Sequence, residues 1–205
     1  MPVKRHRLFL FVTQMMLLAG QSAWATTNVA LSVDPDIPEG TAGHWYVNLQ
    51  LSTEIRLTLT ADDLAAGKGT FKVYDDGGKN GNYSAYAVSG SILKIIVPTG
   101  YLIQVSGTVW TKSDSMECLF LHNASWTDAV STWLVQSAEE GKATTFGPWV
   151  TYKDGNLTDG QYLTICFQSD IGSSYQGIDM TVTVIDNRLY NVTIADGITH
   201  GSVSA

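Results

Sequence analysis

Lys72-Val-Tyr-Asp-Asp-Gly-Gly-Lys-Asn-Gly-Asn-Tyr-Ser84 and, ninety residues on, Leu163-Thr-Ile-Cys-Phe-Gln-Ser-Asp-Ile-Gly-Ser-Ser-Tyr-Gln-Gly-Ile-Asp179 decide the fold. The first is a strand running into a turn of Asp, Gly and Asn, residues that supply side-chain acceptors and unusual backbone angles. The second is an alternating strand, a polar loop with Ser169-Asp170, and Gly177 opening another strand. Outward from these, apolar residues recur every second position. Trp45, Val47, Leu49 and Leu51 alternate with polar neighbours, as do Ile55, Leu57 and Leu59. Further strands are expected over Phe71–Tyr74, Ile92–Val97, Tyr101–Trp110, Glu117–His122, Val130–Gln136, Tyr162–Gln168 and Ile178–Ile185. Asp76-Gly-Gly78, Pro98-Thr-Gly100 and Lys153-Asp-Gly155 punctuate them. Ala61–Gly69 is the one helix-like stretch, with Asp62 as its expected cap. Short strands with regular turns predict an all-β, antiparallel two-sheet sandwich of jelly-roll type.

The N-terminus reads as an address. Lys4, Arg5 and Arg7 precede an apolar run from Leu8 to Leu18, and Ala23-Trp-Ala25 supplies a small-residue cleavage site. This is the pattern of a secretory signal peptide over residues 1–25, cleaved after Ala25. The run falls short of the roughly 20 residues that span a bilayer, and no later stretch approaches that length. Secretion or display at the cell surface is expected. Cleavage leaves nine basic residues against nineteen acidic ones, a net charge of −10. So acidic a chain repels phosphate backbones and anionic lipid, which argues against nucleic-acid and membrane partners. Fourteen of those acids are Asp, the carboxylate of turns and cation-binding loops.

Residues 26–42 read as a lead-in with a short strand, Val29–Val33, and residues 43–187 as the sandwich. Residues 188–205 read either as a further strand or as the truncated start of another β-repeat, which would make the chain part of a longer multidomain protein. Cys118 and Cys166 are the only cysteines, and in an exported chain they either form a disulfide or pack as two small apolar thiols.

Thr70–Ser84, the strand pair Ile92–Trp110 and Tyr162–Val184, in that order, resemble the CUB-like domains of secreted bacterial surface proteins over about Gly43 to Ile185. The resemblance implies a non-enzymatic extracellular module for binding or adhesion, with a protein or carbohydrate ligand; a structural spacer holding a downstream array is the alternative. Calcium-binding members gather an upstream acid, an Asp heading one strand, and a loop Asp. Here Asp170 matches the loop Asp, Glu117 stands where the family has the strand Asp, and Asp114 is the nearest upstream carboxylate. Calcium held by Asp114, Glu117 and Asp170 is therefore what the resemblance implies, since a hard cation needs oxygen ligands from several loops. The Phe120–Ala124 segment departs from the family pattern.

Catalysis finds little support. His44, His122 and His200 show no metal-ligand spacing, no Gly-x-Ser-x-Gly elbow is present, and Asp75-Asp76 reads as turn chemistry. A hydrolase is the least favoured reading. Trp126, in a polar stretch, and Asp114 are the candidate ligand contacts near one sandwich end; Trp126 either stacks on a ligand or packs, whereas Trp45 and Trp149 read as packing residues.

Overall fold

Leu93, Ile95 and Val97 on one strand and Ile103, Val105 and Val109 on the next all point into a single dry core. The chain between them turns at Pro98-Thr-Gly100, so consecutive strands supply opposite walls of that core. The computed structural model describes residues 26–84, 89–113, 117–122, 132–151, 161–169, 172 and 174–188. One sheet, A, comprises β1 (Thr26–Val29), β4 (Glu54–Thr58), β6 (Ser89–Val97), β11 (Gln161–Ser169), β8 (Cys118–His122) and β9 (Thr132–Val135), in that spatial order. The other, B, runs β10 (Thr144–Val150), β7 (Tyr101–Trp110), β12 (Gly177–Asp186), β5 (Thr70–Tyr74), β3 (Trp45–Asn48) and β2 (Ser32–Val33). Side chains such as Ile55, Leu93, Ile165 and Leu119 from A meet Phe71, Val73, Ile103 and Val182 from B, all fully buried. Each such residue contributes about 1.5–3 kcal/mol of burial.

The expected sandwich stands, but the expectation of wholly antiparallel pairing is corrected: both sheets are mixed. β1 pairs with β4, β4 with β6, and β3 with β5 in parallel. Parallel neighbours need a crossover, and here the sandwich itself provides it. The chain leaves β3 in sheet B for β4 in sheet A and returns to β5 beside β3, so each parallel pair is separated by a strand in the opposite layer.

The lead-in divides between layers. β1 edges sheet A and β2 edges sheet B, where sequence reading placed one strand over Val29–Val33. Helix α1 (Ala61–Ala65) is capped by Thr60 rather than Asp62. The Thr60 hydroxyl accepts from the Asp63 amide at 3.1 Å, and the Asp63 carboxylate accepts the Thr60 amide at 3.0 Å. This reciprocal box follows from the Thr-x-x-Asp spacing.

β10 was not foreseen. Pro148 lacks an N–H and breaks the ladder, and the register with β7 shifts between Phe146 and Trp149. An edge strand is where a sheet tolerates such a residue. Across from it, Gly107 leaves room for the Phe146 ring; a Cβ there would lie 3.1 Å from that ring and 2.4 Å from the Asp179 carbonyl oxygen. Trp45 and Trp149 are partly buried and packed against the core, as their sequence settings imply. Among the described residues no helix is long and apolar enough to cross a membrane.

Candidate functional site

The turn after β5 and the loop before β12 meet at one end of the sandwich, and Asp75 joins them. Its carboxylate accepts the Gly77 amide at 2.8 Å, an Asx-type turn, and the Ile178 amide at 2.8 Å from the opposite loop. Asp75 is fully buried. Burial pushes its carboxyl up to about 6, while the Ile178 and Gly77 amides pull the other way. Gly177 makes the approach feasible: its φ is +77°, and a Cβ would lie 2.1 Å from Asp75 Oδ2. Asp76 secures the far side of the turn, its oxygens accepting the Ser84 amide at 3.1 and 3.2 Å. Further stitches tie the same two loops. The Asn82 side chain donates to the Ser174 carbonyl at 3.0 Å, and the Tyr83 amide donates to the Tyr175 carbonyl at 3.0 Å.

Below this seam lies Glu117. It is fully buried, and its Oε2 accepts the Tyr83 hydroxyl and, at 3.1 Å, the Lys112 amide. The Lys112 ammonium stands 3.9 Å from Oε1. Tyr83 is itself buried, edge-on to Phe167 with centroids 5.1 Å apart. Burial and the neighbouring carboxylate raise its phenol well above the ordinary range. A third loop closes the rim: Thr111 and Ser137 exchange hydrogen bonds of 2.7 and 2.9 Å, and the Tyr175 hydroxyl donates to Glu140.

Of the site residues expected from sequence, only Glu117 falls within the described residues; Asp114, Trp126 and Asp170 lie outside them, as do the signal peptide and the tail from residue 189. Glu117 was expected to offer oxygens to calcium. Its described surroundings are instead a phenol, an amide and an ammonium, and a cation beside Lys112 meets like-charge repulsion. Among the described residues no group of three or more His, Cys, Asp or Glu side chains is arranged to hold a metal. Sequence reading missed the joint role of Asp75, Tyr83 and Lys112. Asp75 and Tyr83 sat inside the quoted signature, but nothing local reveals that one reaches Ile178 and the other Glu117.

The two cysteines lie on the outer face of sheet A, packed with Phe120. Cys118 is opposite Gln168 and Cys166 opposite Phe120, so the two are offset by two residues on adjacent strands. Such diagonal neighbours stand roughly 7–8 Å apart at Cα, beyond ordinary disulfide reach. Both are thiols here, and burial pushes Cys166 up to about 12. The native protein should therefore resist iodoacetamide and take up two equivalents after denaturation. Mass spectrometry showing no alkylation of the unfolded, unreduced chain would reveal a bridge instead. On the same face burial pushes the His122 imidazole down to about 4, so it is neutral near pH 7.

No protein-family model matches this sequence, and no curated protein matches it. Among solved structures, the full extracellular region of zebrafish Gpr126/Adgrg6 is similar over 64% of this chain, at 11% identity and a TM-score of 0.40. The chain spans 15% of the length of that region.

Proposed function

We propose that this chain is an exported, non-enzymatic CUB-like module that binds an extracellular protein or glycan. The observation that carries the reading is the use made of the signature residues. Asp75, Asp76, Tyr83 and Glu117 are engaged in holding loops together, so the signature specifies a rigid sandwich end. A secretory leader and a strongly acidic composition support delivery outside the cell. Binding itself is analogy from fold, because sites are grafted onto folds independently. The test is a combined protein and glycan array probed with the chain from Thr26 onward. Selective retention on one ligand class is expected; a blank array would leave the spacer reading.

The calcium implied by the resemblance has its own test. Any ion bound to the native state raises stability by mass action. With Glu117 held by Tyr83 and Lys112, a thermal melt should show the same midpoint with and without millimolar calcium. A midpoint rising with calcium concentration would restore Glu117, Asp114 and Asp170 as ligands.

A further inference from the structure

In this acidic chain one guanidinium stands without a carboxylate. Lys68, Lys72, Lys79, Lys94, Lys112 and Arg188 each lie within ion-pair distance of an acid. Lys142 is exposed and needs only water. Arg56 is different. It is partly buried in the middle of β4, and its Nε is shielded from solvent with no hydrogen-bond partner. A donor so placed costs stability unless a ligand satisfies it.

The strand register shows what surrounds it. Ile55 and Leu57 fill the core, so Arg56 points out of sheet A, opposite Asn28 of β1 and Lys94 of β6. Glu54, two residues along the same face, already accepts Lys94 at 2.9 Å and the Thr26 hydroxyl at 3.0 Å. In the next row Thr58, Ile96 and Tyr162 are neighbours, and Tyr162 is 41% exposed. Two cations thus share a flat patch with an exposed phenol ring, on a protein whose surface is otherwise acidic.

We propose that this face of sheet A is the ligand surface and that it takes a uronate, a carboxylated saccharide. The inference rests on the reading of the chain as an exported binding module, and it moves the contact from the loop tips to a sheet face. The planar Arg56 fork matches a carboxylate in two-point geometry. Lys94 adds charge, and the Tyr162 ring offers an apolar face with a polar tip for a sugar ring. An acidic peptide fits less well. β4 and β6 each have hydrogen-bonded neighbours on both sides, so a peptide backbone finds no free strand edge here to extend.

Polygalacturonate and its fully methyl-esterified form differ in the carboxylate alone, so the chain from Thr26 onward is tested on both. Binding to polygalacturonate is expected, weakened at least about tenfold by esterification, by Arg56→Gln and by high salt. Tyr162→Ala, at an exposed position that leaves the fold intact, should weaken it too. Equal binding to the two polymers, or binding untouched by a folded Arg56→Gln and by Tyr162→Ala, overturns the uronate face and leaves the binding module standing. No binding to either polymer also overturns the uronate proposal, and the binding-module reading falls with it only if the protein and glycan array is blank as well.

Discussion

Tyr83→Phe should lower the unfolding free energy by about 3 kcal/mol, although it removes a single oxygen. That oxygen donates to Glu117, a carboxylate with no solvent exposure. Deleting one partner of a buried pair leaves a charge that water cannot reach, and the cost of that desolvation exceeds the value of the bond itself. For a domain of this size each kcal/mol shifts the midpoint by about 2–4 °C. Glu117→Leu combined with Tyr83→Phe should recover most of the loss, because apolar replacement of both partners removes the stranded charge. Urea denaturation of the three proteins measures this. A single variant within about 0.5 kcal/mol of the parent would mean that Glu117 is hydrated and its link to Tyr83 incidental.

Asp75→Ala should cost a similar amount, about 2–4 kcal/mol, since two amides from different loops lose one acceptor. Asp75 also sets a pH dependence of definite sign. Its folded pKa is raised to about 6 from 3.8. Between those values the folded chain holds a proton that the unfolded chain releases. Stability from this group is therefore greatest below pH 4 and declines as pH rises through about 6, by on the order of 3 kcal/mol. Asp75→Asn should flatten that slope while costing one hydrogen bond, because the amide nitrogen cannot accept. Urea midpoints of parent and variant from pH 4 to 7 read the difference. Parallel profiles would show that Asp75 does not titrate in this window.

Much of the sandwich was legible because its central strands carry clean alternation. Ile103, Val105 and Val109 fall on one face of β7, and Leu163, Ile165 and Phe167 on one face of β11, as period two requires. The partners of each strand were not legible. Parallel pairing of β4 with β6 depends on a path through the other sheet, and no local residue pattern encodes it. β10 was hidden by Gly147-Pro148, which reads as a breaker and is tolerated only because the strand lies at an edge. Asp75 was read correctly as a turn residue from Asp-Asp-Gly-Gly, yet half of its bonding goes to Ile178, 103 residues away. Glu117 shows the same limit: a carboxylate beside Cys118 and Leu119 looks like a ligand until the phenol of Tyr83 closes on it.

Amide hydrogen exchange on the native chain tests most directly whether side-chain carboxylates latch the sandwich end. The amides of Ile178 and Lys112 donate to Asp75 and Glu117 rather than to a strand partner. They should exchange only through opening close to global unfolding, as slowly as the core amides of β7 and β11. Exchange at the rate of an exposed loop, while those strands stay protected, would contradict the account.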